Sequence, residues 1–404
     1  MKNRNKAIIV ASLVGAVNSY ATCSVPSNGA TAGSTVTCTG TTTGVYSINA
    51  ANVTFLNQGD MVGSGTQFGI IISQPTTTSG INATNQGTMT WNNALPNGVG
   101  LRSTVMLGYY TNNNLTSATF TNDTAGQIFV NGTVNLPNGY ATGGISVGAR
   151  YGTAILDNKG SVTSTSTSTN GLGYAEGIVA AGKNAQITNS GSVIVTANQG
   201  SSATGIEING SWTTGTTYIN NSGTVTVSAL GADTQAVVIN ALSTLATSAE
   251  IVNSGTIELK GGVTFSGDRS AISFITSGTS SVSIPLVFIN TSTGVVKADS
   301  ASYAVSLGEA DTNTSAVQIT NSGIISSDNF YAIVTRAGND TYTQDSGSLT
   351  GATYLGAGDD TFTATGGSIV GSVYMGDGSD TVAISNIDLS TIPTLDGGDD
   401  TLIA

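Results

Sequence analysis

The sequence predicts an all-β protein, a right-handed parallel β-helix in which a single chain winds through three short strands per coil. Three observations predict it: a recurring Asn-x-Gly word, apolar residues at fixed positions on both sides of that word, and a third apolar strand at a variable distance beyond it. Coils of such a solenoid bury their inward rows on the coils above and below. Separate antiparallel β-sandwich domains, the main alternative, would not keep such a word in register along the chain.

The Asn-x-Gly word anchors nine units. From one anchor Asn to the next, the sequence number rises by 28, 37, 36, 31, 32, 32, 37 and 31. Two units carry a two-residue insertion, at Asn122–Gly126 and Asn290–Gly294. The compact units begin at Asn57, Asn85, Asn158, Asn189, Asn221, Asn253 and Asn321. Asn and Gly tolerate a left-handed backbone, so each word is expected to turn a corner of the coil. Stacked corners should place the Asn side chains in a hydrogen-bonded ladder.

Apolar side chains flank every anchor word. The residues two before each Asn are Phe55, Ala83, Phe120, Leu156, Ile187, Ile219, Ile251, Phe288 and Ile319. The residues two after each Gly are Met61, Met89, Ile128, Val162, Val193, Val225, Ile257, Val296 and Ile325. Because alternate residues of a strand face opposite sides, these positions are expected to fill the core.

A third short strand follows in each unit and starts with a small residue before an aliphatic one. The expected starts are Gly69-Ile70, Gly100-Leu101, Gly144-Ile145, Gly177-Ile178, Gly205-Ile206, Ala236-Val237, Ala271-Ile272, Ala304-Val305 and Ala332-Ile333. The distance from the anchor Gly to this strand varies between units, being shortest from Gly323 to Ile333 and longest from Gly126 to Ile145. This variation predicts loops of different length on one side of a constant scaffold.

From about residue 336 the word becomes Gly-x-Asp-Thr and returns every 20 residues, which predicts the same helix with trimmed turns. Its Asp residues would stack at coil spacing, where like charges repel unless a cation or hydrogen bonds intervene. Two of the words match the calcium repeat G-x-G-x-D-x-U locally, although a calcium roll needs its word every nine residues or so. The alternative is that each Asp accepts backbone N–H bonds in its own turn. The candidate calcium ligands are Asp340, Asp360, Asp380 and Asp400; no other metal ligand and no other cofactor is expected.

The segment 1–21 reads as a Sec-type signal peptide, with a basic start, an apolar core too short to span a membrane, and a small-x-small site at Ser19–Ala21. Cys23 and Cys38 are the two cysteines, and in an oxidising compartment they are expected to pair. A lipidated Cys23 is the alternative. The expected organisation is a signal peptide at 1–21, an N-terminal cap at 22–55, the β-helix at 56–335 and its trimmed continuation at 336–404.

Composition argues against several function classes. Charged residues make up 8% of the chain, and the formal net charge is −12, which disfavours nucleic acid as a partner. The chain has no His, so the usual general base for nucleophilic catalysis is missing. Acidic residues that a polysaccharide-cleaving β-helix would need are scattered along the sequence, among them Glu250, Glu258 and Glu309. No catalytic residue is therefore expected.

Several features taken together resemble the passenger region of a Gram-negative (type V) autotransporter. They are the signal, the Cys pair, NSGTV at 221–225, NSGTI at 253–257 and the closing motifs GAGDDTF, GDGSDTV and DGGDDTL. The resemblance implies Sec export through the periplasm, passage through an outer-membrane β-barrel translocator, and display at the cell surface or release from it. It also implies adhesion to host or bacterial surface receptors or glycans. Such proteins end in a β-barrel, whereas this chain stops at Ala404, so a fragment, a truncated reading frame or another secretion route is expected.

The expected function is therefore that of a surface-displayed adhesin stalk without catalysis. A carbohydrate-active β-helix enzyme of the polysaccharide lyase or hydrolase kind is the first alternative, and a purely structural spacer is the second.

Overall fold

The structure is a computed structural model. It describes residues 22–26, 29–44, 46–48, 50–64, 70–72, 79–95, 102–108, 115–134, 141–168, 174–198, 202–209, 215–230, 236–242, 246–261, 269–274, 285–299, 302–306, 315–397 and 401–403. The expected signal peptide at 1–21 and the candidate ligand Asp400 lie outside the described residues.

Short strands make up nearly all of the described chain. The strands of the first half are β1 (Thr22–Cys23), β2 (Thr35–Thr39), β3 (Thr41–Thr43), β4 (Tyr46–Ile48), β5 (Thr54–Asn57), β6 (Asp60–Ser64), β7 (Ile70–Ile72), β8 (Ser79–Asn85), β9 (Thr88–Leu95), β10 (Arg102–Leu107), β11 (Leu115–Asn122), β12 (Gln127–Val134), β13 (Ala141–Asn158), β14 (Ser161–Ser168), β15 (Tyr174–Asn189), β16 (Ser192–Ala197) and β17 (Ser202–Asn209). Those of the second half are β18 (Gly215–Asn221), β19 (Thr224–Ala229), β20 (Ala236–Leu242), β21 (Ala246–Asn253), β22 (Thr256–Lys260), β23 (Arg269–Ser273), β24 (Leu286–Asn290), β25 (Val295–Ala298), β26 (Tyr303–Ser306), β27 (Val317–Asn321), β28 (Ile324–Val334), β29 (Thr341–Gln344), β30 (Ser348–Ala357), β31 (Thr361–Ala364), β32 (Ser368–Val370), β33 (Val373–Asp377), β34 (Thr381–Ile384), β35 (Leu395–Asp396) and β36 (Thr401–Ile403). A 3₁₀ turn at Leu389–Thr391 lies between β34 and β35.

The strands stack into three parallel sheets, one for each side of the coil. The first sheet holds the strands that run into the anchor Asn, the second those that leave the anchor Gly, and the third those at the variable position. Pairing between described strands is parallel except where β1 meets β2. The predicted parallel β-helix with three strands per coil is confirmed. The first sheet contains β2, β5, β8, β11, β13, β15, β18, β21, β24, β27, β29, β31, β34 and β36.

Stacking is continuous along the chain. Strands β2, β3 and β4, within the expected cap, already pair in parallel with β5, β6 and β7. At the other end, β27 pairs with β29 and β28 pairs with β30, so the coils continue across residue 336 without a break.

The core consists of the alternating apolar positions. All eighteen residues that flank the anchor words are buried, from Phe55 to Ile325. The third strand β20 begins at Ala236 as expected, although its Val237 pairs with Thr204 and Ile206 pairs with Ile239, so the small-aliphatic pairs of these two coils are not in register. Ile145 pairs with Val105, and the expected start Gly100-Leu101 lies outside the described residues.

The nine anchor Asn side chains form one continuous ladder and are completely buried. Each Nδ2 donates to Oδ1 of the Asn one coil further on, at 2.7–2.9 Å, from Asn57 through to Asn321. The last bond runs from Asn321 Nδ2 to Gln344 Oε1 at 2.9 Å. The predicted Asn ladder is confirmed, and its carboxamides satisfy one another inside an apolar core.

The anchor glycines have a different role from the one predicted. Left-handed backbone angles occur at Gly338, Gly358 and Gly378 of the trimmed coils, but at none of the anchor glycines. Instead, a Cβ on Gly223 would lie 2.0 Å from the carbonyl oxygen of Gly191 on the preceding coil. Glycine is therefore required at the anchor because consecutive coils approach too closely for any side chain.

Candidate functional site

The two cysteines form a disulfide at the start of the helix. Cys23 lies on β1, the one antiparallel strand among those described, and Cys38 lies on β2. Cys38 is in register with Asn57, the first residue of the Asn ladder. The disulfide thus closes the end of the first sheet directly in front of the ladder, which is a structural role.

The candidate calcium ligands form an inward column and not an outer acidic edge. Asp340, Asp360 and Asp380 are 2%, 1% and 2% exposed and alternate with core residues such as Tyr342 and Phe362. The Oδ1 atom of Asp360 accepts the backbone N–H of Asp340 at 2.7 Å, and Oδ1 of Asp380 accepts that of Asp360 at 2.8 Å. The bonds therefore run between coils, and the expectation that each Asp serves its own turn is wrong.

Burial makes these carboxyl groups weak acids. It raises the pKa of Asp340 to about 7, while the Thr335 hydroxyl and the Val317 N–H lower it and the charge of Asp360 adds to the rise. Burial also raises the pKa of Asp360 to about 7, against the hydrogen bond from the Asp340 N–H. The second oxygen, Oδ2, of Asp340 and of Asp360 is buried and accepts no hydrogen bond.

The column does not fit calcium. Ca²⁺ takes six or more oxygen ligands, whereas each Asp here already spends Oδ1 on a backbone N–H and faces apolar side chains. Within the described ranges, no group of three or more Cys, Asp or Glu side chains is placed to hold a metal ion. The exposed acid of the same turn, Asp359, accepts the N–H of Ser379 at 3.0 Å.

Two half-buried acidic residues that were not predicted from the sequence lie near each other on adjacent strands of the third sheet. Glu176 on β15 is in register with Thr204, and Glu207 on the next coil is in register with Val179. Burial raises the pKa of Glu176 to about 8, and the charge of Glu207 adds to the rise. Burial raises the pKa of Glu207 to about 7. Both carboxyl groups are therefore protonated more readily than an exposed Glu, and the charge of Glu207 makes Glu176 still easier to protonate.

The clue to this pair was present in the sequence. Glu176 directly precedes Gly177-Ile178, and Glu207 directly follows Gly205-Ile206, so both belong to the third-strand words of adjacent coils. Aligning those two words would have placed the two side chains diagonally across neighbouring strands.

Charged side chains also gather in a shallow depression of about 290 Å³ at the end of the second sheet. Lys260 bridges Glu258 at 2.9 Å, and the buried guanidinium of Arg269 donates to Asp299 at 3.3 Å. Desolvation lowers the pKa of Arg269, and the charge of Asp299 opposes that effect. Acidic and basic groups are mixed here, so the depression carries no strong preference for an anion or a cation.

Two short words that resemble catalytic motifs lie in ordinary coil structure. Gly177–Lys183, which nearly spells a phosphate-binding loop, is part of β15. In Asp345-Ser-Gly-Ser348, similar to a serine-protease nucleophile segment, the first three residues form the turn after β29 and Ser348 begins β30.

No family model, no curated protein and no solved structure matches this chain. The described part of the chain contains no helix long and apolar enough to cross a membrane.

Proposed function

We propose that this chain is the passenger region of an exported protein and acts as an adhesion stalk at the cell surface. The observation that carries the proposal is the shape of the helix. Among the described residues, fourteen strands of the first sheet stack along one axis. At about 4.8 Å per coil, the rod is about 60 Å long.

The outside of the rod suits many weak polar contacts. In-register columns hold half-buried threonines at regular spacing, as in Thr341, Thr361 and Thr381 of the first sheet. Repeated weak sites on a rigid support give avidity without a single strong pocket. Partners of this kind are host or bacterial surface receptors or glycans, with an outer-membrane β-barrel translocator needed for export.

Export itself is supported by the signal-like segment at 1–21 and by the Cys23–Cys38 disulfide, which suits an oxidising compartment. The test is protease treatment of intact native cells followed by immunoblotting against residues 22–404. Loss of the band from intact cells, with a periplasmic marker protected, is the expected result. A fully protected band would contradict surface display.

Adhesion is tested separately with beads coated with the purified protein and incubated with host cells and with bacteria. We expect more bound beads than with an unrelated β-helix of similar charge. Surface display without any bead binding would instead favour a structural spacer.

The Glu176–Glu207 pair favours a second candidate function, cleavage of glycosidic bonds on the outside of the rod. A pair of carboxyl groups, one protonated and one ionised, is the usual requirement for that chemistry. Release of reducing or unsaturated sugar ends from a polysaccharide panel, lost in both Glu176→Gln and Glu207→Gln, would support it. No release from any polysaccharide, or release that both variants retain, would exclude this pair as the catalytic one.

A further inference from the structure

The outward column of the third sheet changes character where the trimmed coils begin. In the longer coils this column is mixed: Val179, Ser273 and Ser306 are 4%, 4% and 3% exposed, while Glu207 in the same column is half-buried. The same column continues through Val334 to Tyr354, Tyr374 and Asp396. Tyr354 is 38% exposed. The chain therefore opens this column at the trimmed coils and places tyrosine rings on it.

A third tyrosine packs against both rings. The ring centroid of Tyr331 lies 6.2 Å from that of Tyr354, with planes at 61°, and 6.2 Å from that of Tyr374, with planes at 65°. Edge-to-face contacts of this kind are favourable and limit ring rotation. Tyr331, Tyr354 and Tyr374, here called the tyrosine face, form a group of aromatic rings ordered in advance of any ligand.

Glycines flank the rings on one side. The strand positions two after Tyr354 and Tyr374 are Gly356 and Gly376, which pair with each other across the coils. Their φ angles are 108° and 111°, and a Cβ on Gly376 would lie 1.7 Å from the carbonyl oxygen of Gly356. Only glycine fits there, so the backbone itself keeps a side-chain-free strip along the tyrosine face.

Acidic groups outnumber basic ones around the tyrosine face. Asp377 is exposed on the strand of Tyr374 and Asp396 is exposed on β35 of the next coil, whereas Arg336 lies against Gly356 on the preceding coil; the whole chain has a net charge of −12. An anionic polymer would be repelled, whereas the hydroxyl groups of a neutral sugar can donate to carboxylates.

We propose that the tyrosine face binds a neutral, extended β-1,4-linked glycan that runs along the helix axis. The apolar C–H face of a pyranose ring packs on the electron-rich face of a tyrosine ring. Coils repeat at about 4.8 Å, close to the advance of one sugar in such an extended chain, so the tyrosines of consecutive coils can each pack against one of two adjacent sugars, which present alternate faces. This inference rests on the proposed adhesive function and names its ligand class.

The test is isothermal titration of the purified protein with two neutral probes, the hexamers of β-1,4-linked glucose and of β-1,4-linked N-acetylglucosamine. A heparin hexasaccharide and hexalysine serve as anionic and cationic comparators. We expect at least one neutral hexamer to bind with a Kd of about 1 mM or tighter. Neither comparator should bind more tightly. Failure of both neutral hexamers, or stronger binding of heparin or hexalysine, overturns the proposal.

Variants then locate the site. Tyr354→Ala and Tyr374→Ala should each weaken neutral-hexamer binding about tenfold or more. Tyr354→Phe, which keeps the ring, and Val370→Ala, which removes an exposed apolar side chain from the second sheet of the same coils, should bind as the parent does. Loss of binding in Tyr354→Phe, or unchanged binding in both Ala variants, would place the glycan elsewhere. If the Ala variants lose glycan binding but bead adhesion persists, the glycan is not the adhesive ligand, and the proposed adhesive function still stands.

Discussion

The Asn ladder makes a quantitative prediction about stability. Asn221 accepts a hydrogen bond from Asn189 Nδ2 at 2.7 Å and donates one to Asn253 Oδ1 at 2.9 Å. Asn221→Ala removes both bonds and leaves a buried donor above and a buried acceptor below. Each buried polar group left without its partner costs about 1–3 kcal/mol, so the variant should lose about 2–6 kcal/mol.

Two matched variants distinguish the effect of losing ladder hydrogen bonds from the effect of truncating an Asn side chain. Asn57, at the first position of the ladder, has one ladder bond, to Asn85 Oδ1 at 2.8 Å. Asn57→Ala should therefore cost about half as much, about 1–3 kcal/mol. Asn220 is the neighbour of Asn221 and faces outward, so Asn220→Ala should change stability by less than about 0.5 kcal/mol.

The assay is urea unfolding followed by far-ultraviolet circular dichroism, with amide hydrogen exchange of β18 and β21 as a local measure. Local exchange is needed because a solenoid can unfold in sections, and a global midpoint then averages over them. The reasoning is refuted if Asn221→Ala is no less stable than Asn220→Ala, or if Asn57→Ala costs as much as Asn221→Ala.

Three further predictions concern the acidic column, the anchor glycines and the disulfide. Because burial raises the pKa of Asp360 from its ordinary value of 3.8 to about 7, its contribution to stability is full below pH 4 or so and is lost as the pH rises through about 7. Asp360→Asn should reduce this loss of folding stability by up to about 4 kcal/mol at pH 8, whereas Asp359→Asn, at an exposed position, should leave it unchanged. The measurement is the melting temperature from pH 4 to 8. Identical profiles for Asp360→Asn and the parent protein would contradict the prediction. Gly223→Ala should destabilise the fold by more than about 2 kcal/mol because the new Cβ would clash with the carbonyl oxygen of Gly191. Ser222→Ala, the control, should change stability little. Both are measured by urea unfolding. Cys38→Ser should lose about 3 kcal/mol through the opened 15-residue loop, with faster exchange in β2 and β5; unchanged exchange there would argue against a stabilising role.

Most of the scaffold could be predicted from the sequence because strand alternation is local. Phe55 and Met61 face inward for the same reason that Ile219 and Val225 do, and a fixed two-residue offset from the anchor word was enough to place them. The third strands were harder. Gly177 and Ile178 are both buried, which breaks simple alternation, so no period of two could show that Glu176 faces outward beside Glu207.

The acidic column and the tyrosine face escaped prediction for related reasons. Asp340 keeps the inward alternation of Tyr342 and Gln344, but its charge suggested an outer turn. Tyr354 and Tyr374 occupy equivalent positions of consecutive trimmed coils, yet Tyr331 joins them only because β28 bends out of register between Ser326 and Ile333. Bends of this kind depend on packing between coils, which a single coil's sequence does not contain.

The change from Asn to Asp along the helix has a chemical consequence of its own. A carboxamide both donates and accepts, so each Asn can bond to the next and the ladder can extend through any number of coils. An ionised carboxylate only accepts, so the Asp column must take its donors from backbone N–H groups, and Oδ2 of Asp340 and of Asp360 is left buried without one. Protonation removes the buried negative charge, which is the physical reason that these coils should be most stable at acidic pH. In the Asn coils burial also raises the pKa of Glu176 and of Glu207, so stability should fall with rising pH at that site as well. Asp360→Asn should therefore flatten only the part of the decline that belongs to the trimmed end of the rod.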